Sequence, residues 1–374
     1  MEPNVVVSEE RLLSRFLQLV QVDSVSTEEG ELARLVENEL RSIGFSVFND
    51  GTGPTTGNLI AGMRGTTVTV PPIALNAHMD TVEPGRGVRP VVRDGVVRSS
   101  GDTILGGDCK APLAAILEGV RAVVEAGVPR PDLELLFTWG EERAHLGARA
   151  LDISLMHSAC CFTLDSERPI GTIIQSAPGY YSVKAAFRGR AAHAGAAPEK
   201  GINALLAASR AIARMPLGRI DHETTANIGV IRGGSGRNTV PALVELEGEA
   251  RSRDAAKLDA QVEAMRRAME EEAARIGAAL DLEIKVEYRP YRLDPDASVV
   301  AMARRALERM GLAVTMEPTG GGSDANDLNA KGLPTAVLGS GLRDPHTVEE
   351  SFAVADLVTL SRLVVELISV GAEG

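Results

Sequence analysis

The sequence predicts an α/β protein in which a discontinuous domain with a mostly parallel sheet is interrupted by an inserted α+β domain with an antiparallel sheet. Three observations carry this. Short apolar runs alternate with amphipathic helical stretches up to about residue 178, half-polar strands take over at Gly179, and the first texture returns after Pro290. Apolar runs suit parallel strands covered on both faces, whereas half-polar strands suit an antiparallel sheet with one wet face. The 374 residues are enough for about two domains.

Taken in order, PPIALNAHMD (71–80) reads as a buried strand, APLAAILEGVRAVVEAG (111–127) as a helix, and LELLFTWGEE (133–142) and ACCFTLDS (159–166) as further buried strands. Within the insert, YYSVKAAFRG, TTANIGVIRGG, ALVELEGEARS and LEIKVEYRP read as strands, separated by long helices near 199–214 and 254–277. After Pro290 come the helix SVVAMARRALERMG, the strand GLPTAVLGSG and a closing helix. The expected domains are therefore 1–178 with 291–374, and the insert 179–290.

Composition excludes several classes. Lys plus Arg number 39 against 51 acids, a formal charge of −12, and no basic cluster suited to tracking phosphates is present, so nucleic acid is not an expected partner. The acidic start MEPNVVVSEERLLSRF lacks a positive n-region, and no stretch reaches the roughly 18 apolar residues of a membrane span. A soluble, cytoplasmic protein is expected, with no membrane partner. Three cysteines, two of them adjacent, fit reduced thiols better than a disulfide framework.

Acids and histidines collect at the ends of the apolar runs. His78 with Asp80, Glu141 with Glu142, and Asp165 each follow such a run; Asp108 precedes a helix with Pro112 near its first turn, and His346 follows the last buried strand. Ligands of open α/β sheets bind beyond the carboxyl ends of strands, so these side chains are expected on one edge. Imidazoles with several carboxylates and no thiolate suit zinc, cobalt or manganese in a hydrolytic site. Asp108 has two oxygens, and one carboxylate can bridge two cations about 3.5 Å apart.

HMDT, GGDCKA, WGEE, LDS and GGGSDAN…GLPTAVLGSG…HT, in this order, resemble the dinuclear-zinc exopeptidase and deacylase family that includes peptidase T, glutamate carboxypeptidase and acetylornithine deacetylase. The resemblance spans essentially the whole chain and is strongest to the peptidase T-like branch. It implies that His78, Asp108 and Asp165 hold one cation and Asp108, Glu142 and His346 the other, with zinc the first choice. It also implies that Asp80 orients His78 and that Glu141 is the general base. The insert becomes a lid domain, often the dimer contact, whose His193 helps stabilise the oxyanion. Asn238, Arg251, Gly322 and Ser323 take substrate-binding positions, and the peptide bond after Asp108 is expected to be cis. His145, His157 and His222 match nothing in the pattern.

The implied reaction is hydrolysis of an amide bond in a small peptide, an aminotripeptidase activity included. An N-acyl amino acid deacylase or a carboxypeptidase of the same family is the alternative. Where the family usually reads Asp-x-Lys-Ala-Gly, this chain has DCKAP, which stiffens the helix start and spares the ligand. Tripeptidases proper are somewhat longer, which puts the tripeptide preference in question. Two remoter readings are a metal-free binding scaffold and a dinucleotide-dependent oxidoreductase, the latter resting on Gly320-x-Gly322-x-x-Ala325.

Overall fold

The wholly apolar runs become the middle of a sheet. The computed structural model describes residues 5–67 and 69–374. Its strands, in chain order, are β1 (Ser46–Asn49), β2 (Leu59–Met63), β3 (Ile73–His78), β4 (Pro90–Arg93), β5 (Val96–Ser99), β6 (Leu133–Thr138), β7 (Cys160–Thr163), β8 (Thr172–Ala177), β9 (Gly179–Arg188), β10 (Gly218–Arg219), β11 (Thr224–Gly233), β12 (Leu243–Ser252), β13 (Ala279–Tyr288), β14 (Tyr291–Arg292), β15 (Thr315–Pro318), β16 (Thr335–Leu338) and β17 (Ser351–Ala353). The helices are α1 (Glu9–Val20), α2 (Gly30–Ile43), α3 (Gly107–Ala126), α4 (Leu146–Ala150), α5 (Ala204–Arg214), α6 (Ala255–Ile276), α7 (Ser298–Arg309), α8 (Asp324–Ala330) and α9 (Val354–Gly371).

One unit comprises residues up to Gln175 together with Leu293–Thr319 and Ser323–Gly374. Its sheet runs β1-β2-β6-β3-β7-β16-β8, with β15 paired to β8. The centre, β6-β3-β7-β16, is parallel, and the flanks are antiparallel. Every residue of those four central strands is buried, as covering on both faces requires. On one face Ala74, Leu136 and Cys161 join Leu151, Met156, Leu328 and Leu333. Helix α3 packs on β3 and against α9. A Cβ on Gly119 of α3 would lie 2.6 Å from Val364 Cγ1, so glycine permits that close crossing. A small β17-β5-β4 sheet completes the unit.

The other unit, Ser176–Arg292 with Gly320–Gly322, is built on the antiparallel order β10-β11-β12-β9-β13. Alternate residues of β9, namely Tyr181, Val183, Ala185 and Phe187, are buried against α5 and α6, while Lys184 and Arg188 are exposed. The first insert helix starts later than its expected position near 199. Residues Pro198–Lys200 make one 3-10 turn, and α5 begins after Asn203, whose side chain caps it by accepting the Leu206 N–H at 2.9 Å.

Candidate active site

Parallel pairing sets the strand ends side by side. His78, the last residue of β3, lies opposite Thr138 of β6, and Asn76 lies opposite Thr163 of β7. The chain leaving β6 therefore delivers Glu141 and Glu142 beside His78, and the chain leaving β7 delivers Asp165. Asp108 enters from the start of α3, where it and Cys109 depart from helical geometry and the Asp108–Cys109 peptide is cis, as the resemblance implies. Pro112 falls just inside the regular helix.

These side chains form two donor sets around one carboxylate. Asp108 Oδ1 lies 3.1 Å from His78 Nε2, and its Oδ2 lies 3.3 Å from His346 Nε2. Asp165 Oδ1 is 3.9 Å from His78 Nε2, and Glu142 Oε1 is 2.8 Å from His346 Nε2. The atoms of His78, Asp108 and Asp165 all lie within 4.8 Å of one another, and so do those of Asp108, Glu142 and His346. Glu141 comes within the same reach of His78 and Glu142. Cys109 falls inside the first set, but its buried thiol points to the Leu164 carbonyl at 3.8 Å, and burial pushes its pKa well up. The three cysteines are unpaired and buried.

Asp80 does more than the sequence suggests. His78 Nδ1–H donates to the Asp80 carbonyl at 2.9 Å, with the carboxylate 3.3 Å away, which leaves Nε2 facing the donor sets. The same carboxylate accepts the backbone N–H groups of Glu141 (2.8 Å) and Glu142 (3.2 Å) and the Ser26 hydroxyl (2.6 Å). One buried acid thus orients a histidine and fixes the turn bearing two glutamates.

The charge balance explains what the site can hold. Burial, then Asp165, pushes the Glu141 carboxyl well up; burial, then Asp108, does the same to Asp165; and burial raises Glu142. Asp108 is penalised by burial as well, but hydrogen bonds from His346 and His78 outweigh it and hold its pKa below the ordinary range. Crowded, desolvated carboxylates facing two imidazoles are an excess of acid that divalent cations would relieve, so the residues fit two such ions.

Among residues outside these sets, Glu350 and His145 carry no sequence signal of a role. Glu350, fully buried, accepts the N–H groups of Gly106 (2.8 Å) and Asp108 (3.0 Å) and so anchors the loop presenting Asp108. His145 is buried between Glu141 and Asp327. Of the expected substrate residues, Ser323 is buried and shares a capping box with Asn326 at the start of α8. The glycines ahead of it lead into a helix of only seven residues, which does not build the long phosphate-facing helix a dinucleotide site needs. Gly322 abuts Tyr288: a Cβ there would lie 2.5 Å from the ring.

In the other unit, His193 and Asn238 lie on neighbouring segments, joined by the His193–Thr239 bridge and by the Ala194 N–H donating to the Asn238 carbonyl at 2.8 Å. His193 Nδ1 accepts the N–H groups of Gly195 (3.2 Å) and Ala196 (3.1 Å), so a neutral ring carries its proton on Nε2. Arg251 is engaged by Glu249 at 3.1 Å and stacks over Tyr180 at 4.6 Å. No described helix is long and apolar enough to cross a membrane.

Comparison with known proteins accounts for this arrangement. The chain is 42% identical over 372 residues to the uncharacterized protein YqjE of Bacillus subtilis, covering 98% of this chain and all of that one. The structure of aminopeptidase PepT from Bacillus cereus is similar, with TM-score 0.93, 41% identity, and coverage of 98% of this chain and 99% of that chain. A tripeptidase from Staphylococcus aureus is similar as well, with TM-score 0.95, 34% identity, and coverage of 98% and 100%. Residues 74–370 match peptidase family M20/M25/M40, and the chain belongs to that family as a metallo-exopeptidase.

Proposed function

We propose that the protein removes a residue from the end of small peptides, as an aminotripeptidase-like enzyme using two divalent cations, with zinc the first choice and cobalt or manganese acceptable to the same donors. The observation that carries this is Asp108, whose two oxygens face separate donor sets. His78, Asp108 and Asp165 would hold one cation, and Asp108, Glu142 and His346 the other. Together the cations would supply Lewis acidity, acidifying a water and polarising the scissile carbonyl.

The remaining chemistry belongs to side chains. Glu141 accepts a proton from the attacking water as the water oxygen bonds to the carbonyl carbon. It returns that proton to the amine nitrogen as the C–N bond breaks. A carboxylate oxygen of Glu141 lies within 4.8 Å of ligand atoms of His78 and Glu142, near enough to serve both halves of the transfer. Asp80 holds His78 and the Glu141–Glu142 turn, and His193 is assigned to the developing oxyanion by resemblance. Asn238, Arg251, Gly322 and Ser323 are assigned to substrate binding by resemblance. The aminopeptidase and tripeptidase descriptions of the similar proteins favour free-amino peptides as substrates.

The test is a panel of dipeptides, tripeptides and N-acyl amino acids assayed with zinc-, cobalt- and manganese-loaded protein and with Glu141→Gln. Tripeptides should be trimmed at the amino end, and the variant should keep both cations while turning over at least about 100-fold more slowly. Cleavage of N-acyl amino acids with free-amino peptides untouched would replace this reading with a deacylase. Loss of cations in Glu141→Gln would make that residue a ligand.

A further inference from the structure

Behind Glu141 lies a buried layer that the proposed reaction does not use. The His145 side chain is 3% exposed and ends the turn that carries Glu141 and Glu142. Its backbone N–H donates to the Glu141 carbonyl at 2.7 Å, and Ala144 and His145 are both left-handed, with φ of 61° and 57°. That double reversal folds the ring back toward the side chain it follows. Nε2 lies 3.4 Å from Glu141 Oε1, and Nδ1 lies 3.0 Å from Oδ2 of Asp327 in α8.

Helix α8 is itself tied to the sheet. Its first residue, Asp324, accepts the Thr138 hydroxyl from β6 and the Asn76 amide from β3, the latter at 3.3 Å. A continuous path therefore runs from the strands that carry His78 and Glu141, through α8 and Asp327, to His145 and back to Glu141. Glu141 needs such a support. A glutamate has three side-chain torsions to fix, and the charged neighbours Asp165, Glu142 and Asp324 repel it without offering an N–H. A general base misplaced by about 1 Å loses about 100-fold in rate.

We infer that His145, held by Asp327, is a positioning residue whose ring stands 3.4 Å from Oε1 of Glu141 and limits where that carboxylate can lie. This rests on Glu141 being the base. The competing role is a stitch that only joins the turn to α8.

Two substitutions separate these roles, because an Asn amide takes the place of the ring's Nδ1 side and a Gln amide that of Nε2. Asn also tolerates the left-handed backbone at 145. His145→Asn, which keeps Asp327 and releases Glu141, should lower kcat about 10- to 100-fold, with KM, the content of two cations and the melting temperature of the metal-free protein unchanged. His145→Gln, which can reach Glu141 but loses Asp327, should recover only part of that loss. A stitch predicts wild-type kcat for both variants. Loss of cations in His145→Asn would equally overturn the inference. If Glu141→Gln is inactive and His145→Asn has wild-type kcat, only this inference falls. If Glu141→Gln is fully active, the base assignment falls and takes this inference with it.

Discussion

Replacing Asp108 by alanine should empty both cation positions at once, whereas replacing His346 should empty only one. Each Asp108 oxygen faces a different imidazole, so its loss takes one ligand from each set, while His346 belongs to one set only. The backbone N–H of residue 108 keeps its bond to Glu350 in either case, so the loop should survive. The size of the effect follows from linkage. A site whose free ligand stands at a hundred times its Kd stabilises the folded chain by about 2.7 kcal/mol. With roughly 2.1 cal/mol/K per residue, the unfolding entropy of 374 residues is about 0.8 kcal/mol/K. Each occupied position should thus raise the melting temperature by about 3 °C, and both by about 7 °C. Calorimetric melting against added zinc, with metal content by mass spectrometry after dialysis, should give two ions and the full shift for the parent protein. His346→Ala should give one ion and half the shift, and Asp108→Ala neither. An Asp108→Ala protein that still binds one ion with half the shift would refute a shared carboxylate.

Three further outcomes are expected. His346 is pushed up to about 10 by hydrogen bonds to Asp108 and Glu142, so at neutral pH its ring is protonated without metal and a cation must displace that proton. Apparent affinity should therefore rise with pH up to about 10, with proton release seen as a buffer-dependent binding enthalpy in titration calorimetry; a buffer-independent enthalpy would contradict this. Burial pushes the Cys160 thiol up to about 11 and those of Cys109 and Cys161 up as well, so a disulfide reagent at pH 8 should leave all three unmodified until denaturant is added. Glu350→Ala removes the acceptor of two buried N–H groups, about 1.5–3 kcal/mol each. Burial pushes that carboxyl up to about 7, which offsets part of the loss, and urea unfolding of the metal-free protein should show a net cost of about 2–4 kcal/mol.

The sheet was legible where burial was two-sided. IALNAH, LELLFT, CCFT and TAVL are almost free of charge because helices cover both their faces, and they are the parallel centre. By the same logic the insert showed itself through alternation, since its sheet has one buried face. The flanks did not show. SVFN in β1 is largely exposed, and the β4, β5 and β17 strands have four, four and three residues, too short for a period to register. Ser323 carries a second signal that went unread: a serine with a polar partner three residues later marks a helix start, and the structure has that capping box.

The candidate cation ligands His78, Glu142 and Asp165 were legible because each stands within a few residues of a strand end, whereas Asp108 stands at the start of α3 and His346 on the loop between β16 and β17, where only the motif marks them. His145 was not legible, although EERAH set it four residues from Glu141, a spacing that brings side chains together on a helical turn. Spacing along the chain could suggest the contact with Glu141 but not its consequence. A ring that touches only the base would be as free to move as the base itself. What makes His145 able to hold Glu141 is Asp327, which lies 182 residues further along the chain and reaches the ring only because α8 is fastened to β3 and β6. Residues that touch the chemistry can be read from local pattern, whereas residues that steady them are defined by what the fold brings behind them.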